Sequence, residues 1–160
     1  MEMIVQDRSI KLECENYGIL GEWSVVKQTV LIKEKQNKCT ISYKEYSNNI
    51  NHIEKKPTLL AKEEISRKVV NELFVDLFKI DFNKLTKEIN TGCDGFIYKL
   101  CFSSGFNSTQ FIRWCSSDQD FNSLCERILK LGEEIGKRGT PREGWRKTID
   151  EVYKSMEKNI

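Results

Sequence analysis

The chain has two prolines, one histidine and no apolar run long enough to cross a bilayer. Each shortage excludes something. A serine triad, a histidine-paired thiol or a histidine-containing metal site would have only His52 to draw on. No Cys-x-x-Cys or Cys-x-x-x-Cys pair occurs among the six cysteines, so no short turn presents two thiolates to one zinc ion. Neither a Gly-x-Gly-x-x-Gly nor a phosphate-loop lysine is found, which removes the nucleotide fingerprints. Met1 to Arg8 carries acids and lacks the apolar stretch of a signal peptide. The expected location is therefore cytoplasmic, with the thiols reduced. Excess charge of one sign is also missing: 26 basic residues face 24 acidic ones, interspersed along the chain for a net charge of +2. That evenness argues against a polyanion binder and leaves only a patch assembled in three dimensions. The expectation is no cofactor, no metal, no nucleic acid and no membrane.

What is present is enough for one core. A length of 160 residues, with 39% hydrophobic and 31% charged, fits a single globular domain spanning 1–160. The run WSVVKQTVLIKE from Trp23 to Glu34 is rich in β-branched residues. KQNK follows as a polar turn, and CTISYKEYS alternates again, which reads as a hairpin with one solvated face. Residues 9–20 read equally as a short strand, with Ile10 and Leu12 alternating, or as irregular chain. SNNINHIEKKP is polar and turn-rich, an exposed connection long enough to be a binding loop.

Ile65, Val69, Leu73 and Leu77 recur at every fourth position and predict an amphipathic helix over roughly 62–79, with a weak helical turn to follow between Asp81 and Ile89. Thr91-Gly92-Cys93-Asp94-Gly95 reads as a tight bend leading into a strand rather than as an active loop. FIYKLCFSS then puts Phe96, Tyr98, Leu100 and Phe102 on one side of a strand, SGFN turns it, and STQFIRWC returns. Asp118 and Asp120 suit a helix N-terminus ahead of Phe121, Leu124, Cys125, Ile128, Leu131 and Ile135 at helical spacing, with Gly136 and Gly139 as stops. Thr140-Pro141-Arg142-Glu143 matches a capping box, predicting a C-terminal amphipathic helix over 140–157.

Hairpin, helix, hairpin, helix, helix makes an α+β fold. The sheet should be antiparallel, four- to five-stranded and built from the two hairpins, with two or three helices covering one face. The other face should carry Lys27, Lys44, Lys99 or Arg113 and be partly wet. Cys14, Cys39, Cys93, Cys101, Cys115 and Cys125 sit largely in apolar patterns, as small buried hydrophobes do. Cys101 and Cys115 flank the second hairpin; two core thiols are the preferred reading over a cross-strand pair.

The layout D-G-F-I-Y-x-L-x-F, short turn, F-I-R-W, then an acid-led helix with L-x-x-x-I-L-x-L covers about residues 94–135 and resembles small bacterial immunity proteins. These are cytoplasmic antitoxins of polymorphic or contact-dependent toxin systems. The resemblance implies a single domain that neutralises a cognate toxin by direct binding, and it transfers no individual residue. A non-enzymatic protein-binding module is the reading adopted. An adaptor or accessory subunit of a secretion or phage system, and a cysteine-dependent enzyme working through a residue such as Cys93, are the alternatives. The expected contacts with a protein partner are Phe106 as an apolar anchor, with Asn107 and Arg113 on the same hairpin and His52 in the long connection as polar rim groups. A turn folded back on its own sheet would make Phe106 core instead. Oligomeric state is not readable from these features.

Overall fold

The computed structural model describes residues 7–16, 25–49, 52–53, 57–87, 96–105, 107–114 and 118–141. Its strands are β1 (Arg8–Asn16), β2 (Val25–Lys35), β3 (Lys38–Asn49), the two-residue β4 (His52–Ile53), β5 (Leu59–Glu64), β6 (Phe96–Ser104), β7 (Asn107–Trp114) and the two-residue β8 (Thr140–Pro141). The helices are α1 (Arg67–Phe78), α2 (Phe82–Lys87) and α3 (Gln119–Gly136). The six longer strands form one open antiparallel sheet in the order β7-β6-β1-β2-β3-β5, with β8 added beside β5 and β4 paired to β3. The fold is α+β, as expected, but with six principal strands in place of four or five.

Both hairpins close where the turn chemistry allows. Gln36 and Asn37 take φ of 51° and 63°, the left-handed pair that matches the twist of the strands they join. Gly105, at φ 62°, does the same between β6 and β7. Residues 17–20 of the segment over 9–20 lie outside the described residues, and the described part up to Asn16 belongs to β1, whose Leu12 pairs with Val30 on one side and Leu100 on the other. This strand joins the two hairpins into one sheet.

Three boundaries depart from the sequence reading. The helix expected from about residue 62 begins at Arg67, because Leu59–Glu64 pairs with β3 as β5. Its apolar residues suit either state, and the neighbouring strand decides. Ser66 then sets the start, its hydroxyl accepting from the Val69 N–H at 3.3 Å. The polar connection after β3 is shorter than expected: β3 runs to Asn49, and His52–Ile53 folds back to pair with Asn48 and Asn49. Thr140 and Pro141, expected to open a helix, pair with Leu60 and Leu59 instead. The remainder of the expected 140–157 helix lies outside the described residues.

One face of the sheet supplies the core. Ile10, Leu12, Val30, Ile32, Ile41 and Leu100 occupy alternate strand positions and are at most 2% exposed. They belong to one cluster with Leu73 and Leu77 of α1, Leu85 of α2, and Phe121, Leu124 and Ile128 of α3. Asp118 caps α3, its carboxylate accepting from the Phe121 N–H at 2.9 Å. Among the described residues no helix is long and apolar enough to cross a membrane.

Candidate functional site

The described members of the expected contact set lie on separate parts of the sheet. Asn107 is exposed at the start of β7, opposite Ser104. Phe106 lies outside the described residues. Arg113 sits on the core-bearing side of β7, opposite Tyr98, and not on the wet face. Its Nε and Nη2 donate to the Leu85 carbonyl at 3.1 and 2.7 Å, tying the edge strand to α2. His52 lies on β4 and pairs with Asn49 of β3, and β3 itself stands four strand steps, or roughly 19 Å at the usual spacing, from β7. Of the other residues expected on the wet face, Lys27, Lys44 and Lys99 are there, and half-buried.

The described thiols are mostly withdrawn from chemistry. Cys14, Cys39 and Cys125 are buried, and Cys101 is half-buried opposite Gln110; Cys93 and Cys115 lie outside the described residues. Burial pushes the Cys14 thiol up to about 11, helped by the Glu133 and Glu15 charges. Burial also raises Cys125, with Cys14 and Glu126 adding to it. A thiol so raised holds little thiolate near neutrality and is a poor nucleophile. Tyr43 is fully buried; its hydroxyl donates to Glu45 at 2.6 Å and accepts from Gln28 at 2.8 Å. Desolvation lifts its pKa as well. Among the described residues no group of three histidine, cysteine or acidic side chains stands close enough to hold a metal ion.

A buried polar knot closes one end of the sheet. Glu34, 4% exposed, is paired with Arg8 and with Arg67 Nε at 3.2 Å. Arg8 also bonds Asn71 and lays its guanidinium over Phe74 at 4.5 Å. The knot fastens the start of α1 to β1 and β2. Every acceptor of the carboxylate faces a guanidinium, which is how a buried charge is tolerated.

The second face of the sheet is different in kind. No described side chain on it is buried. The register sets its residues in rows across the strands. Ile112, Lys99, Glu13, Thr29, Lys44 and Leu60 form one row. Gln110, Cys101, Lys11, Leu31, Ser42 and Lys62 form the next. Beyond them Ser9 and Ser103 share a hydrogen bond of 2.7 Å, with Lys33 and Thr40 continuing the row. Glu13 lies 3.1 Å from Lys11 Nζ and 3.9 Å from Lys99 Nζ. Burial alone would raise its pKa, but the Lys11 hydrogen bond and the charges of Lys27, Lys11 and Lys99 hold it below the usual carboxylate range. Lys27 lies over the Tyr46 ring at 5.3 Å.

Sequence reasoning found three of these lysines through strand alternation. It does not reach Lys11, whose segment reads equally as strand or irregular chain, or Lys62, which falls in the expected helix, and it does not single out Lys33 within its strand. The signal was present as lysines at alternate positions, and it needed the pairing register to become a surface. No family model, no curated protein and no solved structure matches this chain.

Proposed function

We propose that this chain is a non-enzymatic, cytoplasmic protein-binding module, an immunity protein that neutralises a cognate toxin by direct contact. In this reading the helices close one face of the sheet and leave the other as the docking surface. The observation that carries it is the extent of that second face, on which no described side chain is buried. Five interstrand steps of about 4.8 Å, and the nine residues of β1 and β6 rising about 3.4 Å each, give roughly 24 by 30 Å. An area of about 700 Å² is close to the roughly 800 Å² each partner contributes to a standard protein interface. The raised pKa values of the buried thiols support the same reading, since they oppose a cysteine nucleophile at Cys14 or Cys125.

Co-expression tests it. A toxin domain encoded beside this chain should arrest growth alone, lose that effect when the chain is co-expressed, and elute with it as one heteromeric complex. Growth arrest that persists beside soluble, folded chain would refute the reading.

A further inference from the structure

The near-neutral total conceals a sorted distribution of charge. Lys11, Lys27, Lys33, Lys35, Lys38, Lys44, Lys62 and Lys99 occupy open-face strand positions, against Glu13, Glu15 and Glu64. Eight cations and three anions give this face +5, so with +2 for the whole chain the remainder nets −3. Folding gains nothing from such sorting, because like charges on one sheet face repel.

The relief is uneven. Glu13 pairs with Lys11 and Lys99, and Glu64 with Lys38 at 3.1 Å. Among the described residues Lys33, Lys35, Lys44 and Lys62 have no carboxylate within ion-pair distance. All four lie on β2, β3 and β5. Lys44 and Lys62 are diagonal neighbours, since Lys62 stands opposite Ser42 and Lys44 opposite Leu60. Apolar side chains interrupt them: Leu60 is 47% exposed, and Leu31 is half-buried opposite Ser42.

We propose that the β2-β3-β5 half of the open face docks an acidic protein surface that carries apolar side chains between its carboxylates, with Lys33, Lys44 and Lys62 meeting the acids and Leu31 and Leu60 the apolar groups. The proposal rests on the protein-binding reading and gives the partner its chemistry. Three observations favour protein over nucleic acid. Glu13 and Glu64 stand within the face, where a phosphate every roughly 1.7 Å would be forced against them. No arginine occupies an open-face position among the described strand residues, so the bidentate fork that suits phosphate is missing. Exposed Leu60 and half-buried Leu31 have nothing to gain from a phosphate backbone.

The test uses the full chain and backbone-amide NMR, with a glutamate-rich peptide carrying interspersed leucines as the probe. Saturable shifts confined to open-face positions of β2, β3 and β5 are expected. The pair Lys44→Glu with Lys62→Glu should weaken binding roughly tenfold or more while leaving the thermal midpoint in place. Lys44→Gln with Lys62→Gln, which removes charge without reversing it, should weaken it by a smaller factor and serves if the first pair misfolds. Shifts on the helices instead, or a short DNA duplex binding more tightly than the peptide, would overturn the proposal. A toxin neutralised equally well by the Lys44→Glu, Lys62→Glu chain would overturn this docking face and spare the immunity reading. A chain that binds the peptide here yet neutralises no toxin would spare the docking face and remove the immunity reading.

Discussion

Gly132 of α3 stands directly against Tyr43 of β3: a β-carbon on the glycine would fall 2.7 Å from Tyr43 Cδ2, and 2.6 Å from Val30 Cγ2. Gly136, one turn on, meets the same ring, its β-carbon position 2.6 Å from Tyr43 Cε1. Helix and sheet approach this closely because both residues lack a side chain, and the tyrosine fills the space between. Tyr43 and Val30 are fully buried and have nowhere to yield. Gly132→Ala should therefore destabilise by about 1–3 kcal/mol, despite the better helix propensity of alanine. Chemical denaturation of the two proteins measures it, and an alanine variant as stable as the parent would refute the close packing.

The pairing of Glu34 with Arg8 and Arg67 makes a second prediction. Glu34→Ala removes the buried carboxylate that Arg8 and Arg67 share, leaving the part-buried Arg8 guanidinium without its charge partner, and should cost about 1–3 kcal/mol. Lys33→Ala, one residue away on the opposite face, should change stability by less than about 0.5 kcal/mol. Equal effects of the two substitutions in thermal denaturation would count against the knot.

A third concerns Arg113, whose guanidinium holds the Leu85 carbonyl. Arg113→Ala should loosen α2, raising amide exchange over Phe82–Lys87 and costing about 1–2 kcal/mol. Lysine should restore little, since a single ammonium cannot fork onto the carbonyl. A loss of partner binding with no change in α2 exchange would return Arg113 to an interface role.

The thiols supply the fourth. With Cys14 near 11 against an ordinary value of 9.0, alkylation at pH 8 should be roughly a hundredfold slower than for a free cysteine, and Cys101 should react before Cys14 or Cys125. Mass spectrometry of a labelling time course reads the order directly. The same burial couples to stability. Because the folded state favours the protonated thiol, its contribution is intact below 9.0 and is lost as pH climbs from there towards 11. Buried Cys125 and Tyr43 shift in the same direction. The thermal midpoint should fall across this alkaline window, and a flat profile would contradict it.

Local pattern determined much of this protein from sequence alone. β-Branched richness in VVKQTVLIKEK set that strand, alternation in CTISYKEYS and FIYKLCFSS set the next ones and their inward residues, and the spacing of Phe121, Leu124, Ile128 and Ile135 set α3 and its buried side. Those signals are strong because burial acts on every second or every third to fourth residue, and that period is written along the chain. Tertiary structure decided what has no local period. Leu59–Glu64 became a strand because β3 offered an edge. β1 settled between β2 and β6 because both had a face to share. Arg113 lies on the core side because the register of β7 against β6 puts it there with Phe111, and the Leu85 carbonyl takes up its guanidinium. Charge was the least legible feature: a composition near neutrality is a sum, and only the pairing register tells which lysines a sheet gathers on one side.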